Sequence, residues 1–144
     1  MELATGRDVV REALKFIYVR YKFGAEVPLG VPEIPKFLDC SEFVQVVLHN
    51  LGIDFPDGSW NQYKVCQDVS VMFVAYHTPG ALVFMKGHRD RIHHVGISTG
   101  TGCTIEARGY HPEIPGSGMV NIFPWRPGWD HAGLIKGVDY TTGA

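Results

Sequence analysis

The hydrophobic pattern of this chain changes period partway along, and that change limits the fold more than any other feature. From Arg7 to Tyr21, the residues Val9, Val10, Ala13, Leu14, Ile17 and Tyr21 recur at three- and four-residue spacing, as on a helix with one buried stripe. Thr5 stands before this run as an N-cap. Gly24 to Leu38, with Pro28, Pro32 and Pro35, reads as a loop. The helical spacing returns from Cys40 to Leu51 through Phe43, Val44, Val47, Leu48 and Leu51, with Asp39 as N-cap and Gly52 at the stop position. Asp57-Gly58-Ser59 introduces a short third helix reaching about Cys66. After the turn signal Pro79-Gly80 the pattern becomes strand-like. Ala81 to Met85 is a short apolar run, and His94 to Thr99 alternates Val95 and Ile97 with His94, Gly96 and Ser98. Gly100-Thr101-Gly102 turns the chain back into Cys103 to Arg108, and Val120 to Phe123 and Leu134 to Val138 read as further strands. Helices followed by a meander of strands predict an α+β fold with an antiparallel sheet.

A length of 144 residues predicts one domain, residues 1–144, with a sizeable core. Hydrophobic residues make up 45% and charged residues 19%, a globular balance. The net charge of −2 and the lack of a Lys/Arg-rich run argue against nucleic acid or an anionic membrane as partner. No apolar stretch approaches the roughly 20 residues that span a bilayer. The N-terminus lacks a basic segment followed by an apolar core, so no signal peptide is visible. The expectation is cytoplasmic synthesis, an excised domain, or another route out of the cell. Cys40, Cys66 and Cys103 cannot all pair within one molecule, and nothing marks a secreted disulfide scaffold; Cys66 and Cys103 read as small buried residues. A monomer is the default.

Chemistry concentrates at two places. Cys40 opens a helix, where backbone N–H groups and partial positive charge lower a thiol's pKa. His94 begins a strand. In an antiparallel hairpin centred on Gly100, His94 lies opposite Glu106, with Cβ atoms about 4.5–5.5 Å apart. A two-residue turn at Gly100-Thr101 would put Ala107 there and leave Glu106 diagonal; the glycines flanking Thr101 also allow a three- or five-residue loop, so the register stays open. The chemistry expected is a Cys40 nucleophile attacking an amide carbonyl and a His94 base, with Glu106 orienting the ring. The oxyanion would meet backbone N–H groups at the helix start, Cys40's included. No metal or cofactor is needed. His88, His93, His94, His111 and His131 could suggest a metal, but His88 and His93 sit in a basic stretch with Arg89 and Arg91 and lack a paired carboxylate pattern, and His93 alternates to the face opposite His94. Trp60, Trp125 and Trp129 read as core or rim packing.

Asp39-Cys40-Ser41-Glu42-Phe43-Val44 resembles the Asp-Cys-Ser-Gly-Phe-Val box of the NlpC-type cell-wall peptidases, which are papain-like cysteine enzymes. Tyr21-Lys22-Phe23-Gly24 resembles the aromatic-glycine box before that family's cysteine, and Ser59 to Gln62 loosely resembles its Ser-x-Gln helix start. Pro79-Gly80-Ala81-Leu82-Val83-Phe84 and His94-Val95-Gly96-Ile97 are similar to its next two strands. Ile105-Glu106-Ala107 falls where the family shows Ile-His-Ala. These boxes span about residues 10 to 108 in the family's order.

The resemblance implies N-terminal helices packed on a small antiparallel sheet or half-barrel. It also implies hydrolysis of peptidoglycan stem peptides at the bacterial cell wall, usually between D-glutamate, through its γ-carboxyl, and a diamino acid. By the same resemblance Tyr21, Asp39 and Ser41 line the substrate groove. Arg108 is either a solvated arginine or an anchor for a substrate carboxylate. Glu42, Ala25, Ala81 and Glu106 depart from the family's residues, and the Val27–Leu38 loop is longer than the usual connection. An anion at Glu106 favours the imidazolium of His94 more than a neutral partner would. Glu106-Ala107-Arg108-Gly109 is similar to phage-encoded members. The rival readings are an acyltransferase working through a Cys40 thioester, and an inactive wall-binding or phage structural module.

Overall fold

The first helix begins where its cap stands. Thr5 Oγ1 accepts the Asp8 N–H at 3.1 Å and the Asp8 carboxylate accepts the Thr5 N–H at 2.9 Å, a reciprocal capping box. The computed structural model describes residues 2–26, 28–87 and 90–141. Val27, which opens the proline-rich loop, and His88 and Arg89 lie outside the described residues.

Along the chain come β1 (Ala4–Thr5), α1 (Gly6–Leu14), β2 (Arg20–Tyr21), β3 (Phe37–Leu38), α2 (Cys40–Asn50), α3 (Ser59–Val65), β4 (Gln67–Val69) and α4 (Met72–Tyr76). There follow β5 (Leu82–Lys86), β6 (Ile92–Ser98), β7 (Cys103–Ala107), β8 (Val120–Pro124), β9 (His131–Leu134) and β10 (Val138–Asp139). Six strands form one antiparallel sheet in the order β4-β9-β5-β6-β7-β8. The α+β expectation holds: two N-terminal helices lie on one face of an antiparallel sheet.

That face supplies the main core. Leu82, Phe84, Val95, Ile97, Ile105 and Ala107 of the strands pack with Val9 and Ala13 of α1 and with Phe43, Val44, Val47 and Leu48 of α2. A smaller cluster of Ala75, Ala81, Val83, Ala132 and Trp129 forms separately. Burial of each large apolar side chain contributes about 1.5–3 kcal/mol.

Several elements depart from the sequence expectation. The first helix stops at Leu14 rather than Tyr21. Tyr18 takes a left-handed φ of 76°, and the next residues pair across space: Tyr18 N–H donates to Val120 O at 2.8 Å, Val120 N–H to Val19 O at 2.8 Å, and Tyr21 N–H to Gly118 O at 2.9 Å. These distant bonds outweigh a helical pattern that local propensity only weakly enforces. The strand expected at Leu134–Val138 is split into β9 and β10, because Gly137 turns the chain at φ 94° and Val138 N–H closes back on Ile135 O. The short elements β4 and α4 carry no clear periodicity in the sequence. All three cysteines are free thiols.

Candidate active site

Asp39 precedes α2 in extended conformation, and its Oδ1 accepts the Glu42 N–H at 2.7 Å. This cap fixes the helix start and so places Cys40 in the first turn. The Cys40 thiol reaches across to β6, where its Sγ lies 3.9 Å from the His93 carbonyl oxygen. The N–H of Val95 also faces the sulfur. Pairing between β6 and β7 covers only Ile97–Ile105 and Ser98–Thr104. Upstream of that pairing, the backbone on either side of His94 meets the thiol.

A β-bulge sits at the same point. Met85 pairs with His94 and Lys86 with Ile92, so His93 is an extra residue on β6. Its exposed ring folds back, Nδ1 lying 3.0 Å from Met85 O. Bulges bend a strand and re-aim the neighbouring side chain, and His94 is that neighbour. The His93 and His94 rings lie 6.4 Å apart, so the bulge interrupts the strict alternation expected of this strand.

Two influences compete on the thiol. The N–H groups of Val95, Ser41 and Cys40 favour the thiolate, as expected of a helix start. Burial, and after it the Asp39 carboxylate, oppose them and win, pushing the Cys40 thiol up to about 12. The helix start therefore does not lower this thiol's pKa, contrary to the sequence expectation. Burial thus favours the protonated thiol over the thiolate.

His94 sits in the stretch of β6 whose backbone meets the thiol. Its Nε2 lies 2.8 Å from Glu106 Oε1, and Glu106 is fully buried. Arg126 donates to both carboxylate oxygens, at 2.8 and 2.7 Å, and the Thr104 hydroxyl donates to Oε2. Burial pushes the Glu106 carboxyl up, but the His94, Arg126 and Thr104 contacts together outweigh it and hold the carboxyl below its usual value. An ionised carboxylate only accepts, so His94 Nε2 is the donor in this contact. The His94 ring is stacked on Trp129 at 5.8 Å between centroids and 20° between planes.

The hairpin register is neither of the two weighed from sequence. The turn is centred on Thr101, so Gly96, not His94, lies opposite Glu106. The His94–Glu106 contact is diagonal, and Gly96 makes it possible. A Cβ at position 96 would lie 2.9 Å from Glu106 Cγ and 3.1 Å from Trp129 Cη2. The glutamate side chain runs through the space that a missing methyl leaves.

The remaining expected residues divide. Tyr21 is half-buried beside the core, and its phenol is pushed up by burial, then by the neighbouring Cys40 and Asp39. Tyr21, Asp39 and Cys40 are therefore brought together. Ser41 is buried, its hydroxyl 3.2 Å from both Asp39 Oδ1 and Asp57 Oδ1, and its carbonyl accepts Gln62 Nε2 at 2.9 Å. Gln62 also donates to Pro56 O at 2.9 Å, so α3 braces the first turn of α2. Arg108 is partly buried: it stacks over Phe123 at 4.7 Å, and burial together with Arg126 lowers its pKa. Arg126, Thr104, Trp129 and Asp57 have places in this site that the sequence reading did not assign. Among the described residues, no three His, Cys, Asp or Glu side chains converge as metal ligands would, and no helix is long and apolar enough to cross a membrane.

The NlpC/P60 family model matches residues 18–134. Over 101 residues, 69% of this chain, the sequence is 35% identical to the gamma-DL-glutamyl hydrolase of Bacillus subtilis (strain 168). The match takes in 22% of that protein, so the chain spans about a fifth of this relative's length. Among solved structures, the NlpC/p60 domain of the peptidoglycan hydrolase SagA superimposes with a TM-score of 0.69 at 27% identity, covering 92% of this chain and all 100% of that one. The P60 domain of antigen MAP1204 from M. avium subspecies paratuberculosis shares the fold with a TM-score of 0.70 at 24% identity, covering 90% of this chain and 93% of that one.

Proposed function

This chain belongs to the NlpC/P60 family, and from that premise we propose that residues 1–144 act as a single cysteine-hydrolase domain on peptidoglycan stem peptides at the bacterial cell wall. Cys40 is the nucleophile, His94 the base and Glu106 the group that orients it. The observation that carries this reading is the pairing of His94 Nε2 with an ionised Glu106, which leaves Nδ1 as the base beside a backbone that holds the Cys40 thiol.

The reaction follows from those positions. His94 Nδ1 takes the thiol proton as Sγ attacks the amide carbonyl carbon, and the carbonyl π pair moves to oxygen. The N–H groups of Cys40 and Ser41, which face the sulfur, are the donors for that oxyanion. Collapse breaks the C–N bond, and the imidazolium returns its proton to the leaving amine. Water, deprotonated by His94, then opens the thioester and restores the thiol.

The bond proposed joins the γ-carboxyl of D-glutamate to a diamino acid. Support comes from the sequence likeness to a gamma-DL-glutamyl hydrolase and the structural likeness to SagA's domain. Tyr21 and Asp39, clustered at Cys40, are the proposed substrate contacts. Ser41 acts by holding Asp39 and Asp57 in place. Arg108 is a weaker candidate, because its guanidinium is occupied by Phe123.

Digestion of defined muropeptides followed by mass analysis tests the reading. The expected products are the two fragments of the γ-glutamyl bond, formed by the parent and absent with Cys40→Ala. Intact muropeptides, products with an acyl group moved to an added amine in place of water, or cleavage by folded Cys40→Ala would each overturn it.

A further inference from the structure

We propose that Arg126 is a positioning residue: His94 is held by the Glu106–Arg126 ion pair acting as one neutral acceptor, rather than by a lone carboxylate. The inference deepens the hydrolase reading above and rests on it.

Glu106 has no exposed surface, and water cannot share its charge. A buried carboxylate without a counter-charge is strongly disfavoured. Arg126 reaches both oxygens, at 2.8 and 2.7 Å. Its guanidinium also lies over the Trp129 ring at 4.8 Å, and Trp129 in turn stacks on His94. Arg126, Glu106, His94 and Trp129 thus form a closed circuit of ion pair, hydrogen bond, ring stack and cation–π contact. Moving any one of them loosens the ring that must accept the thiol proton.

Charge balance makes the role specific. Without Arg126, the buried carboxylate draws a proton to the pair. If that proton settles on His94, the ring is an imidazolium with no lone pair for Cys40. If it settles on Glu106, the acid donates to Nε2, the ring proton moves to Nδ1, and the lone pair faces the wrong way. Both outcomes remove the base, and Arg126 prevents both. By the same logic a neutral amide at position 106 needs no arginine, because its carbonyl oxygen accepts the Nε2 proton directly.

The test is a charge-swap cycle: Arg126→Met, Arg126→Lys, Glu106→Gln and the double variant Glu106→Gln/Arg126→Met. Folding is checked by circular dichroism. Two readouts are taken against pH: kcat/KM on muropeptides, and the rate of Cys40 alkylation by iodoacetamide, followed by mass of the Cys40 peptide. Arg126→Met should lower kcat/KM about 100-fold at neutral pH and move the rising limbs of both profiles to higher pH, with Arg126→Lys partly restoring both. The double variant should exceed each single variant by about tenfold, the sign of coupling rather than additivity. Unmoved alkylation limbs in folded Arg126→Met, no restoration by folded Arg126→Lys, or a double variant no better than the better single, would overturn the proposal. Alkylation requires no substrate, so a parent that cuts no muropeptide refutes the hydrolase reading while the alkylation profiles still decide the role of Arg126.

Discussion

Gly96→Ala adds one methyl group and should damage this site more than its size suggests. The new Cβ would lie 2.9 Å from Glu106 Cγ and 3.1 Å from Trp129 Cη2, closer than side chains pack. Gly96 lies within β6 and outside the positive-φ region, so alanine meets no backbone strain. Stiffening the unfolded chain would even favour folding by about 0.4–1 kcal/mol. Against that stand two costs. Overpacking costs about 1–3 kcal/mol. Glu106 cannot swing aside without loosening its bonds to His94, Arg126 or Thr104, and one charge-assisted bond is worth about 1.5–3 kcal/mol. The net loss is about 2–5 kcal/mol, a fall in Tm of roughly 5–20 °C for a chain of this size. Urea unfolding measures it, together with kcat/KM corrected for the folded fraction, which should fall at least tenfold. Gly133→Ala is the control: its Cβ would lie 2.4 Å from that of Cys66, on β9, where the site has no residue. It should lose stability while keeping kcat/KM per folded molecule. Gly96→Ala with parental stability and parental kcat/KM would refute the threading of Glu106 past Gly96.

Asp39→Asn keeps a good N-cap and removes the anion that disfavours the thiolate. Iodoacetamide alkylation of Cys40 at pH 8 should quicken about tenfold with little change in stability; an unchanged rate would mean that burial alone holds the proton. Glu106 is held below its usual value of 4.5, so the unfolded chain binds more protons in the acid range and stability rises with pH there. That contribution is present above about pH 4.5 and is lost as pH falls through the folded value. Urea midpoints from pH 3 to 6 should slope less steeply in Glu106→Gln, and an equal slope would contradict the assignment. Tyr21→Phe should raise KM with little change in kcat if its hydroxyl holds substrate, and leave both unchanged if it only packs.

What could be read from the sequence was what depends on neighbours along the chain. Asp39 as cap, Cys40 in the first turn and Gly52 at the stop are one local pattern, and α2 forms as that pattern predicts. The pairing of His94 with Glu106 was also legible, because two strand residues around a tight turn must come close. The register was not. Two glycines permit several turns, and the choice falls to Thr99, whose hydroxyl accepts the Thr101 and Cys103 N–H groups and closes the loop about Thr101. Arg126 lies outside the strands, in a segment without periodicity. Its one signal was indirect: Glu106 sits between Ile105 and Ala107 on a core strand, and a carboxylate buried there requires a cation. The state of Cys40 was misread for a related reason. The helix terminus is visible in the sequence, whereas the burial that overrides it belongs to the packed molecule.

The central claim is that Cys40 carries the acyl group, and intact-mass spectrometry of acid-quenched enzyme tests it most directly. Parent protein mixed with a defined muropeptide and quenched within the first turnover should gain the mass of the acyl fragment, mapped to the Cys40 peptide and released by hydroxylamine. Cys40→Ala should gain nothing and cut nothing. Turnover by folded Cys40→Ala, or an adduct on any other residue, would contradict the account.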